Sequence, residues 1–154
     1  MVAFSAITDI LRIYMRNLFL ALCALPFLFT TTQAIAANPF GKWIDEKGKT
    51  QVQLFECNGK VCGKIIWLKK PLKNGKPKSD FKNKKKHLRN RPVLGLKVIY
   101  GMKQKGGAKW KGKAYNPDDG SIYKTTLKFV NANTAKLKGC WKIICKTRTW
   151  KRVK

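Results

Sequence analysis

The sequence predicts an all-β domain, an antiparallel sheet of seven or eight short strands closed into a barrel. Three observations point there. Successive short segments alternate apolar and polar residues with period two, clusters of Gly, Asn, Asp and Pro separate them, and no segment after residue 36 repeats its apolar positions at helical spacing. Closing the sheet removes the exposed edges on which other chains pair, and a two-sheet sandwich is the alternative arrangement of the same strands.

The first 36 of the 154 residues read as an export signal and not as part of the fold. Arg12 and Arg16 precede an uncharged apolar run over residues 18–29. Polar residues 30–33 then lead to Ala34, Ile35 and Ala36, whose small side chains suit cleavage after Ala36. The run is shorter than the ~20 apolar residues of a membrane span. A start at Met15 would give a shorter signal of the same kind. Leu22, next to Cys23, is too large for lipoprotein processing. The expected location is therefore outside the cytoplasm, periplasmic or secreted.

Residues 37–154 carry 32 Lys and Arg against six Asp and Glu, in a length that suits one domain with one modest core. Such an imbalance opposes compaction and favours polyanions, but it is silent about fold. The many aromatic and β-branched residues exclude a wholly disordered basic tail.

The elements follow in order. Gly41, Lys42 and Trp43 open the first strand. Residues 50–56 alternate Gln51 and Gln53 with Val52 and Leu54, Asn58-Gly59 supplies a tight turn, and residues 61–68 return as the second arm of a hairpin. Residues 69–91 then hold eleven Lys or Arg and one acid, Asp80, punctuated by Pro71, Gly75 and Pro77. No periodicity survives there, so this is a long basic loop. Residues 93–102 form a strand in which Gly95 marks a bend, and Gly106-Gly107 a turn. A short strand over 110–115 meets the turn cluster Asn116 to Gly120. Residues 122–130, 135–144 and 147–153 complete the series.

The four cysteines after residue 36 form an even set, Cys57, Cys62, Cys140 and Cys145. Two disulfides are expected in an exported domain, and four cysteines allow three pairings. The local pairing, Cys57 with Cys62 and Cys140 with Cys145, is preferred; each short loop closed contributes about 2 kcal/mol. A four-cysteine zinc site is the rival, and an oxidising compartment disfavours it.

In order along the chain stand Gly41-Lys42-Trp43, Cys57 with Cys62-Gly63, Asp80 and Asn83, and Arg89, Arg91, Pro92 and Gly95. Trp110, Gly112, Tyr115, Pro117, Gly120 and Tyr123 follow, and then Thr149, Trp150 and Arg152. This series resembles the bacterial exported family known as domain of unknown function 2147, over essentially all of residues 37–154. The resemblance implies an exported single domain with a lipocalin-like, up-and-down barrel, and it brings no catalytic residues. The lysine content and Ala114 depart from the family's pattern. A weaker likeness to lipocalins themselves lies in the glycine-x-tryptophan at Gly41 and Trp43. It implies that Arg148 or Arg152 packs over Trp43 to close the barrel, a structural contact.

Candidate chemistry is sparse. His87, the only histidine, lies in a lysine run with no nucleophile motif beside it, and reads as a solvated loop residue. Asp45-Glu46 and Asp118-Asp119 sit at turns and read as turn-forming residues. No glycine-rich phosphate loop occurs, and neither a metal nor a cofactor is expected. Trp67, Trp110 and Trp150 fall on strands, where burial is the default and a ligand cavity the alternative. The basic segment is the most specific clue. Lys69, Lys70, Lys82, Lys84, Lys85, Lys86, Arg89 and Arg91 form a candidate polyanion-binding set, read against a merely solvating role. The expected partners are lipopolysaccharide phosphates or anionic lipid head groups, or a small ligand in the barrel, bound by a non-catalytic monomer. A nucleic-acid-binding module is the alternative, and an envelope enzyme using His87 the third reading.

Overall fold

The computed structural model describes residues 38–154, so the signal-peptide expectation, with its cleavage after Ala36 and its start at Met15, lies outside the described residues. In chain order the strands are β1 (Gly41–Asp45), β2 (Thr50–Cys57), β3 (Lys60–Leu68), β4 (Leu72–Lys73) and β5 (Lys76–Pro77). After a 3-10 turn at Lys86–Leu88 come β6 (Lys97–Gln104), β7 (Lys109–Asn116), β8 (Ser121–Asn131), β9 (Thr134–Trp141) and β10 (Ile144–Arg152). Eight of them close a barrel in the order β1-β10-β9-β8-β7-β6-β3-β2, every pair antiparallel. β4 and β5 pair only with each other.

Closure runs through β1, where Trp43 stands opposite Val52 on one side and Arg152 on the other. Inward side chains from all round the barrel pack together in its interior. Trp43, Leu54, Ile99, Met102 and Leu127 are essentially inaccessible, and Phe129 meets the rings of Trp43 and Trp110 at 5.1 Å between centroids, edge-on to Trp110. Gly112 makes room for this packing: a Cβ there would lie 2.8 Å from the Met102 Cα and from the Tyr100 carbonyl oxygen.

Two local departures from the sequence pattern have identifiable causes. The last two strands meet at Lys142-Ile143 and not at residues 145–146, because Lys142 takes a left-handed conformation (φ 53°) that no Gly or Asn announced. Trp67 points outward, 40% exposed, whereas Trp110 and Trp150 are buried. A bulge in the β2–β3 pairing between Gln51 and Val52 shifts the register there, and one inserted residue exchanges inside for outside.

The barrel has two distinct ends. One carries the start of β1, the end of β10 and the turns β2–β3, β6–β7 and β8–β9. The other, the cap end, carries the β1–β2, β7–β8 and β9–β10 turns and the long segment between β3 and β6.

Candidate functional site

Residues 69–96 lack a regular period, yet the chain there is folded. Asn74 and Gly75 both adopt positive φ (51° and 71°), the two-residue turn geometry that joins β4 to β5. An isolated bridge pairs Ser79 with Pro92: the Asp80 N–H donates to the Arg91 carbonyl at 2.9 Å and the Val93 N–H to the Lys78 carbonyl at 2.8 Å. The run between them is tightened by the Lys85 N–H donating to Asn83 Oδ1 and by Arg89 Nε donating to the Asn83 carbonyl, at 2.9 and 2.8 Å.

At the centre lies Asp80, fully buried. Its Oδ2 accepts from Arg91 Nε and Nη2 at 2.9 and 2.8 Å and from Asn83 Nδ2 at 2.8 Å. Its Oδ1 accepts a 2.5 Å bond from the Tyr115 hydroxyl, which in turn accepts from Asn83 Nδ2 at 2.9 Å. A buried carboxylate needs such a set of partners, since each unmet lone pair costs free energy in a low-dielectric interior. Burial, then the Asp80 hydrogen bond and charge, push the Tyr115 hydroxyl up to about 12. Tyr115 sits near the cap-end terminus of β7, so the cluster ties the basic segment to the barrel wall. Gly120 in the β7–β8 turn completes the contact: its φ is +70°, and a Cβ there would collide with the Lys82 carbonyl.

The clamp decides which cations of the segment are available. Asp80 is its only acid, and that charge is taken by Arg91, whose side chain is one-third exposed. Lys69, Lys70, Lys82, Lys84, Lys85, Lys86 and Arg89 are exposed, as is His87 in the 3-10 turn. Lys73 and Lys82 lie 4.5 and 5.7 Å from the Phe81 ring centroid.

At the opposite end Arg152 lies over Trp43 at 4.4 Å from the ring centroid. Its guanidinium donates to the carbonyls of Asn38, Phe40 and Ala132 at 2.7, 2.6 and 2.7 Å, and Trp43 Nε1 donates to the Pro39 carbonyl at 3.1 Å. Arg148 instead bonds Glu46 at 3.0 Å. The Thr149 N–H and then Arg148 lower the pKa of Glu46. A cleft of about 480 Å³ opens beside the Arg152 closure, between Phe40, Val61, Met102 and Trp110, with Glu56 and Lys60 at its margin. The cysteines form two disulfides, Cys57–Cys62 and Cys140–Cys145, which removes all four as zinc ligands.

The Asp80–Asn83–Arg91–Tyr115 cluster is the part that sequence reasoning missed: it gave Asp80, Asn83 and Tyr115 no role and counted Arg91 among the free polyanion-binding cations, whereas Arg91 is engaged by Asp80. The available signal was a lone acid among eleven cations, followed three residues later by Asn83.

An eight-stranded antiparallel barrel, closed by a tryptophan on its first strand and an arginine on its last, defines a lipocalin-like protein. The chain belongs to the bacterial family described as "Uncharacterized protein conserved in bacteria (DUF2147)", which matches residues 41–152. A solved structure similar to it is that of protein HP1028 from the human pathogen Helicobacter pylori, described as belonging to the lipocalin family. The two share 29% identity over 77% of this chain and 84% of that one, with a TM-score of 0.65. No curated protein matches the sequence.

Proposed function

We propose that this protein is an exported, non-catalytic binding module of the cell envelope that engages polyanionic surfaces through its cap segment. One observation carries the reading. The single acid of residues 69–91 is buried against Arg91, so Lys82, Lys84, Lys85, Lys86 and Arg89 stand unneutralised on a folded ridge and not on a free tail. Two disulfides support an oxidising compartment. Lysines outnumber arginines along the ridge, which suits diffuse attraction to many phosphates over bidentate recognition of one.

The test replaces Lys82, Lys84, Lys85 and Lys86 together by Gln and measures binding to a soluble polyanion and to anionic vesicles. At about 1 kcal/mol for each lysine near an anionic surface, reduced by screening, the loss is expected to be at least ~100-fold at low salt and smaller at high salt. Wild-type binding by the quadruple variant would remove the segment from the function. A marked preference for single-stranded DNA over both probes would favour the nucleic-acid alternative. The cleft beside Phe40, which reaches the buried Val61, Met102 and Trp110, is the candidate place for a small apolar ligand. Titration with a fluorescent fatty acid, repeated on Phe40→Asp, checks that: equal binding by the two proteins counts against the cleft.

A further inference from the structure

The outer half of the β9–β10 hairpin pairs with no other strand of the barrel wall, and only Arg148 reaches across, to Glu46. Pairing of β8 with β9 ends at Cys140, and β1 reaches β10 only from Trp150 to Arg152. Residues 141–148 are all exposed, and they include Trp141 (58%), Ile143 (95%) and Ile144 (64%). An isolated pair of strands is marginal in water, and one tipped with large apolar side chains is disfavoured further. Here the Cys140–Cys145 disulfide spans directly opposed residues, one pair below Trp141 and Ile144, and holds the tip in place. The chain thus fixes an apolar projection where it cannot be buried within the monomer.

The tip belongs to the cap end, the end that carries the basic ridge. Exposed Leu72, Phe81 and Leu94 stand on the cap segment, and exposed Trp67 and Ile122 at the ends of β3 and β8 that border it. Of the ten large hydrophobic residues exposed among the described residues, only Phe40 and Val130 belong to the other end. The hairpin is basic as well: Lys138, Lys142 and Lys146 flank the tip, Arg148 is paired with Glu46, and no acid follows Asp119 in the chain.

We infer that the cap end docks on an anionic lipid bilayer, with Trp141, Ile143 and Ile144 entering the interfacial layer while the lysines lie among the head-group phosphates. This rests on the polyanion reading of the same end and names its partner. Charge complementarity brings the surface in, and removal of the apolar tip from water retains it; either alone gives weak, reversible attachment. Tryptophan at the head-group boundary is the placement its amphipathic ring favours. A soluble polyanion would satisfy the lysines and leave the tip in water.

The experiment uses the oxidised chain 37–154 with vesicles of phosphatidylcholine and phosphatidylglycerol (about 3:1, enough anionic lipid to attract a basic surface), and dextran sulfate as a charge-only probe. The triple variant Trp141→Ser/Ile143→Ser/Ile144→Ser is expected to lose vesicle affinity by about 30-fold or more, while its dextran sulfate affinity stays within about twofold. Vesicle binding by the triple variant equal to wild type overturns the inference and leaves the polyanion reading standing. Failure of the wild-type protein to bind either probe overturns both. A second measurement avoids dependence on the triple variant's folding: brominated acyl chains are expected to quench wild-type tryptophan emission, and Trp141→Phe to remove most of that quenching. Quenching that persists unchanged in Trp141→Phe, or is absent in vesicle-bound wild type, also overturns the inference.

Discussion

Replacing Asp80 by Asn keeps the shape of the side chain and removes the charge that organises the cap. The carboxylate is fully buried and accepts bonds from Arg91, Asn83 and Tyr115. An amide in its place presents two N–H donors to a site already crowded with donors, so at least one of those bonds is lost. Breaking a buried ion pair by removing one partner costs about 3–5 kcal/mol. Arg91 is one-third exposed and can recruit water, which places the expected loss near the lower end, about 3 kcal/mol. A domain of this length has an unfolding entropy of about 0.25 kcal/mol per kelvin, so the midpoint of thermal unfolding should fall by about 12 °C. Melting of Asp80→Asn, Arg91→Met and the double variant, all with disulfides intact, provides the assay. The double variant should be less destabilised than the two singles combined, by about 1.5 kcal/mol, because it strands no guanidinium. Limited trypsin digestion should reach the lysines of residues 82–86 sooner in Asp80→Asn than in wild type. A single variant that melts within about 2 °C of wild type, together with an additive cycle, would refute the reasoning, because a clamp of this kind cannot be energetically silent.

Two further outcomes concern the closures at either end. Arg152→Met removes the cation over Trp43 and three bonds to the carbonyls of Asn38, Phe40 and Ala132. Urea unfolding should show a loss of about 2 kcal/mol, whereas Arg148→Met, which loses only an exposed pair with Glu46, should lose under about 1 kcal/mol. In the chain 37–154 all three tyrosines are raised: Tyr100 mainly by burial, Tyr123 mainly by its bond to Asp119, and Tyr115, to about 12, mainly by burial. Raised phenols bind their protons more tightly in the folded state. Their contribution to stability is therefore complete below the unfolded value near pH 10 and is lost as pH rises from there, for Tyr115 towards about 12. Ultraviolet titration at about pH 10.5, just above the unfolded value, should show less tyrosinate in the folded protein than in urea; equal absorbance would count against the burial of Tyr115 beside Asp80.

Much of the architecture was legible in residue order because it depends on neighbours in sequence. Alternation over residues 50–56 and 122–130, and turns at Asn58-Gly59 and at Asn116 to Gly120, specify short antiparallel strands through side-chain direction and backbone conformation alone. The short spacing of the cysteines favoured the local disulfides for the same reason. The break between the last two strands was misplaced because Lys142 is an unmarked left-handed residue. Trp67 was expected to be buried and is exposed, because one bulge reverses the inside and outside of a strand.

The residues themselves thus determined an all-β chain of hairpins, its even set of four cysteines and its large positive charge. Only the tertiary structure decided where that charge is free to act. Asp80 meets Tyr115 across 35 positions, and Arg148 meets Glu46 across 102, in contacts that no local pattern encodes. The same is true of the cap end, where segments distant in sequence gather a lysine ridge and an unpartnered apolar hairpin. Barrel closure brings them together, since burying one continuous core dictates which turns share an end and which cations must neutralise a buried acid.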